Sequence, residues 1–161
     1  ETVITITLKD SNDFSSSLIG ISLLTCGLVM AILQPVVAKW GKLLIANPNK
    51  QIAFGLLIAG VVFPVFNFID AKWFMLLAIG VLSIGTSFVV PNLLALLSLK
   101  EPNASGWAFG MQSSFSGIGQ VAGPLIGTGL YAINNQAPFY TTGALFVATS
   151  IGIFKNHTIS K

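Results

Sequence analysis

The chain has 161 residues, 53% of them hydrophobic and 8% charged, with a net charge of +3 and no arginine. Soluble domains carry about a quarter charged residues, so this composition, with a mean hydropathy of +0.83, excludes a water-soluble globule. The missing arginine argues against a nucleic-acid surface, which clusters both basic residue types on one face, and a single cysteine, Cys26, excludes an intrachain disulfide.

The elements follow in chain order. A bilayer core of about 30 Å takes about 20 apolar residues per helix. Residues 2–8 alternate and are β-branched, and alone they read as a strand. No partner strand exists, and an isolated strand cannot satisfy its backbone in lipid. They are therefore expected to be the outer end of a helix whose beginning is missing. The chain opens on Glu1 with no start methionine or signal peptide, and a piece cut from a longer protein is expected. Apolar segments then follow at 17–38, 51–69, 73–99, 104–133 and 138–154. Polar or proline-bearing breaks separate several of them, among them Asn47-Pro48-Asn49-Lys50, Asp70-Ala71-Lys72 and Asn134-Asn135-Gln136. The expected fold is all-α, a polytopic transmembrane helical bundle.

Lysines orient the bundle. If the segment 17–38 runs from outside to inside, Lys39, Lys42, Lys50, Lys100, Lys155 and Lys161 share the inner side, and Lys9 and Lys72 lie outside. The excess of positive charge makes that inner side cytoplasmic, and the C-terminal tail lies there too. Trp40 and Trp73 fall at the two interfaces. The glycosylation sequons at Asn103 and Asn156 fall on the cytoplasmic side and are chance matches.

Chemistry is sparse. The one histidine, His157, sits in the polar tail, and no phosphate loop is present. No metal, cofactor or catalytic set is expected, and the chain does not read as an enzyme. The acids lie in loops or at the chain start, so a proton carrier would have to sit elsewhere in a longer protein.

Intramembrane polar groups are expensive and often functional. The segment 73–99 holds Ser83, Thr86, Ser87 and Asn92 beside Pro91. Pro91 deprives the Ser87 carbonyl of its usual donor, which predicts a polar notch. In the segment 104–133, Gln112, Ser116 and Gln120 recur at helical spacing and share one face. Such a face either lines a water-accessible cavity or hydrogen-bonds a neighbouring helix. Phe88 and Phe115 lie near these positions, as pocket residues for an apolar or cationic compound or as plain packing. Gly119, Gly123 and Gly127 recur every four residues around Pro124. That spacing allows close helix approach, and the proline bends the helix.

Read together, Pro91-Asn92-Leu93-Leu94, Gly106-x-x-x-Gly110-Met111-Gln112, Gly119-x-x-x-Gly123-Pro124-x-x-Gly127 and Ala137-Pro138-Phe139-Tyr140 resemble the C-terminal half of major facilitator superfamily drug:proton antiporters, in particular the 12-helix multidrug and tetracycline efflux branch. The stretch Gln34 to Lys42 is similar to the family's cytoplasmic loop motif. It keeps Lys39, Gly41 and Lys42 but lacks the acid.

The resemblance implies a six-helix half-bundle, with residues 1–8 as the end of its first helix. It implies alternating access around a central site, with efflux of drugs or other small molecules driven by proton influx. The implied setting is a bacterial plasma (inner) membrane, and the implied partners are membrane lipid, the small-molecule substrate and a missing N-terminal half. The cavity wall then falls to Asn92, Gln112 and Ser116, with Ser87, Phe88 and Phe115 beside them. Helix packing and bending fall to Gly119, Gly123, Pro124, Gly127 and Pro91. Two other readings stand beside this one: an importer of a sugar or metabolite with the same fold, and a membrane assembly subunit with no transport cycle.

Overall fold

The computed structural model describes residues 16–68, 72–100 and 105–159. Residues 1–8 lie outside them, as do all five acids. The described residues form five helices: α1 (Ser16–Leu44), α2 (Pro48–Val65) with a 3-10 turn at Phe66–Phe68, α3 (Lys72–Lys100), α4 (Ser105–Ile133) and α5 (Ala137–Ile159). No strand occurs among them.

Among the described residues, four helices are long and apolar enough to cross a membrane: α1, α2 with its turn, α3 and α5. α4 is as long as α1 and α3, at 29 residues, but its glycines, serines and glutamines leave it less apolar. Leu24, Leu28 and Ile32 of α1 and Leu77 of α3 are exposed. An outward apolar face of this kind is made for lipid rather than water.

Local signals explain the helix ends. The Asn47 side chain accepts from the Asn49 N–H at 3.0 Å, capping α2, and Pro48 occupies the first turn, where a missing N–H does no harm. Asn134 turns the chain before α5, accepting from the Gln136 N–H at 2.9 Å. Pro35, Pro64, Pro91 and Pro124 all sit inside helices. Two ends differ from expectation. α1 runs through Pro35 to Leu44, so Lys39, Gly41 and Lys42 lie on a helix and not in a loop. α5 continues past Lys155 to Ile159. Ala38, Lys39, Lys42, Leu43 and Leu44 are good helix formers and no break signal comes before Asn47-Pro48, so α1 continues up to it.

α2 is the central element. It packs along α3 on one side and α5 on the other, and α1 packs along α3. Glycines make both contacts of α2. A Cβ on Gly85 would lie 2.8 Å from the Gly55 carbonyl oxygen, and one on Gly143 would lie 2.8 Å from that of Gly60. Backbone therefore meets backbone at both crossings.

At one end of the bundle Phe66, Met75 and Phe139 form an apolar core, with Phe63 packed against it. Phe63 and Phe146 meet edge to face at 5.6 Å. α4 stands apart. It touches α3 and α5 only lightly, and Ala108 is the single buried residue among its described side chains.

Candidate functional site

Ser83, Ser87 and Asn92 of α3 are buried. Ser87 is fully buried, and its hydroxyl donates to the Ser83 carbonyl at 2.7 Å. The Ser83 hydroxyl donates to the Ile79 carbonyl at 2.8 Å. Each hydroxyl thus bonds one turn back along its own helix, the usual way a serine is satisfied in a helix interior. Phe88 packs edge to face on Phe54 of α2, with ring centroids 6.0 Å apart.

Asn92 sits one residue past Pro91 and is buried. Its Nδ2 donates to the Phe88 carbonyl at 2.7 Å and to Oε1 of Gln51 at 2.8 Å. The predicted notch is thus closed by a neighbouring helix. Asn92 reaches Phe88 and not the Ser87 carbonyl freed by the proline, and its amide is engaged across the α2–α3 contact.

Gln51 completes the cluster. Its Nε2 donates to the Ile45 carbonyl, in the link between α1 and α2, at 2.7 Å. A Cβ on Gly41 would fall 2.6 Å from Gln51 Oε1, so Gly41 is the seat into which the glutamine fits. A second polar tie joins α5 to α2, where the buried Ser150 hydroxyl donates to the Ala53 carbonyl at 2.7 Å. Neither Gln51 nor Ser150 stands out in the sequence except as a polar residue in an apolar setting.

The α4 candidates lie elsewhere. Gln112 is half-buried, and Phe115, Ser116 and Gln120 are exposed. They do not share a surface with Ser87 and Asn92, which are buried. Gly119 and Gly123 have nothing within 4 Å of a built Cβ. They therefore make no close helix contact among the described residues. Gly127 and Pro124 are half-buried, and the Thr128 hydroxyl donates to the Pro124 carbonyl at 2.7 Å. The glycines that do bring backbones together, Gly55 with Gly85 and Gly60 with Gly143, are not spaced four apart on one helix. Their roles depend on which helices meet.

Chemically, the described residues offer hydrogen-bonding amides and hydroxyls, aromatic rings and an open polar face on α4.

Comparison with known proteins follows the same lines. The family model described as Major Facilitator Superfamily matches residues 2–158. Quinolone resistance protein NorA of Staphylococcus aureus strain Mu50 is 32% identical over 89 residues, 55% of this chain and 23% of the relative. Proteins of the same name from strains N315 and MW2 match with the same identity and coverage. The chain thus spans less than a quarter of the length of these curated relatives. No solved structure gives a significant match.

Proposed function

This chain belongs to the Major Facilitator Superfamily, and from that premise we propose that it is the C-terminal six-helix part of a bacterial drug exporter. The exporter moves apolar or cationic small molecules out of the cell by alternating access, coupled to proton influx. The observation that carries this reading is the 32% identity to a quinolone resistance protein. The arrangement of α4 supports it, because a Gly-, Ser- and Gln-rich helix left open on its own bundle suits a cavity wall or a moving interface.

In this reading Gln112, Phe115 and Ser116 form one wall of the substrate cavity. Ser87, Phe88 and Asn92 keep α3 in shape behind it. An N-terminal half of the same protein covers Gly119, Gly123 and Gly127, and Pro124 lets α4 bend as the halves rock. The lysine-rich end and the C-terminus face the cytoplasm, with the bundle in the plasma membrane. The coupling acids lie in the other half. No bond-making chemistry is assigned to the chain.

The test uses the full-length protein in bacterial cells stripped of their own exporters. Gln112→Ala and Ser116→Ala should change which dyes and antibiotics are expelled while membrane abundance stays normal. An unchanged profile across a broad panel would remove both residues from the cavity. If the unaltered protein protects against no compound and stabilises another membrane protein instead, the assembly-subunit reading replaces the exporter.

A further inference from the structure

Two interhelical bonds fix which residues gather at one end of the bundle. Asn92 to Gln51 joins the C-terminal third of α3 to the first turn of α2. Ser150 to Ala53 joins the C-terminal part of α5 to the same region of α2. The short link 45–47 brings the end of α1 there as well. Lys39 near the end of α1, Lys50 in the first turn of α2 and Lys155 on α5 are all exposed at this end. Two tryptophans accompany them: Trp40 is 57% exposed and Trp107, in the first turn of α4, is 64% exposed. Lys42 and Lys100 belong to helix turns of the same end. The opposite end carries the Phe66, Met75 and Phe139 core and an exposed Trp73.

We propose that the lysine end is a docking surface for the headgroups of anionic phospholipids. Lysine ammonium groups are hydrated point charges on flexible stems, and they reach along a helix to the interface. Here they stand on three separate helices with no arginine fork among them. That arrangement contacts several phosphates of a lipid layer at once and does not grip one phosphate bidentately. Trp40 and Trp107 supply the amphipathic rings that lodge at headgroup depth. The excess of positive charge at this end matches the negative potential of an anionic leaflet, to which each lysine near the surface adds a factor of about five in attraction. The proposal does not depend on what the protein transports.

The tryptophans report on their own surroundings. The full-length protein is placed in phosphatidylcholine vesicles containing a minor fraction of either brominated phosphatidylglycerol or brominated phosphatidylcholine. The quenching lost in W40F/W107F relative to the unaltered protein gives the signal of the lysine end, and that lost in W73F gives the signal of Trp73, whatever other tryptophans the full-length protein holds. Trp40 and Trp107 should be quenched with a relative association constant about fivefold in favour of phosphatidylglycerol, and Trp73 with almost no preference. The triple variant K39Q/K50Q/K155Q, exposed positions all, should lower the preference clearly, with Lys42 and Lys100 still in place, and high salt on the unaltered protein should weaken it. Equal quenching by the two lipids at the lysine end overturns the proposal. So does a preference that is unchanged in the triple variant or matches that of Trp73. Should the triple variant fail to fold, the salt titration decides: a preference indifferent to salt is not electrostatic.

Discussion

Asn92 and Gln51 join α3 to α2 amide to amide, Nδ2 donating to Oε1 at 2.8 Å across 41 residues of sequence. The other end of the Gln51 amide is fixed on the Ile45 carbonyl at 2.7 Å. Three helices therefore meet on one neutral side chain, with Gly41 cut back to admit it. Interhelical hydrogen bonds in membranes average about 0.6 kcal/mol and reach about 1.7 kcal/mol. A buried bond reinforced at both ends belongs in the upper part of that range.

Asn92→Leu and Gln51→Leu should each destabilise the bundle. Together they should destabilise it by less than the sum, because either change alone leaves one hydrogen-bonding site of its partner's amide unmatched in a buried place, although each amide keeps its bond to a carbonyl. Reversible unfolding in mixed detergent micelles, run as a double-mutant cycle, should return a coupling of about 0.6–1.7 kcal/mol. A coupling of zero would mean that the bond contributes nothing to the fold.

Gly41→Ala places a methyl 2.6 Å from Gln51 Oε1. Overpacking of this kind costs about 1–3 kcal/mol. Shortening the glutamine relieves it, so Gln51→Ala should recover part of the stability lost in Gly41→Ala although it is harmful by itself. Thermal unfolding of the three variants in detergent shows whether the rescue occurs.

Gly55→Leu and Gly143→Leu should abolish stable packing of the bundle, since each side chain would enter a neighbouring backbone: the Gly85 carbonyl for the first and the Gly60 carbonyl for the second. Gly119→Leu and Gly123→Leu meet open space in this bundle and should leave the packing of α1, α2, α3 and α5 intact. In the exporter reading they nonetheless stop transport, by blocking the approach of the other half. Membrane abundance, melting temperature and drug export measured side by side separate the two pairs of variants.

Ser150→Ala removes the hydroxyl that binds the Ala53 carbonyl and leaves α5 held by the Gly60–Gly143 contact. Hydrogen-bond deletion between membrane helices predicts a loss of about 0.6–1.7 kcal/mol with the fold retained. A melting shift in the purified protein is the readout.

The five helices were legible as five long segments, but only four of the described helices are long and apolar enough to cross lipid; the segment 104–133 forms a helix of full length whose glycines, serines and glutamines leave it short of that. The ends of the helices were less legible. Lys39, Gly41 and Lys42 read as part of a cytoplasmic loop, yet α1 continues through them to Leu44. Partnerships were the least legible. Gly119 and Gly123 carry the familiar spacing, but spacing shows only that a helix can be approached closely, not that anything approaches. Gly55, Gly60, Gly85 and Gly143 lie on three helices, and their pairing appears only once those helices are set side by side. Asn92 was visible as an expensive polar group. Its partner Gln51 was not, because nothing local links positions 41 residues apart.

The bond from Ser150 to Ala53 spans 97 residues, which has a consequence for synthesis. At roughly 5–20 residues per second, about 5–20 s of translation separate the emergence of Ala53 from that of Ser150. During that interval the α5-facing side of α2, with the Gly60 backbone and the Ala53 carbonyl, waits in the membrane without its partner. The bundle thus closes late and from its last helix. Until then the nascent chain is most open to mispairing, to chaperones and to the proteases that clear unfinished membrane proteins.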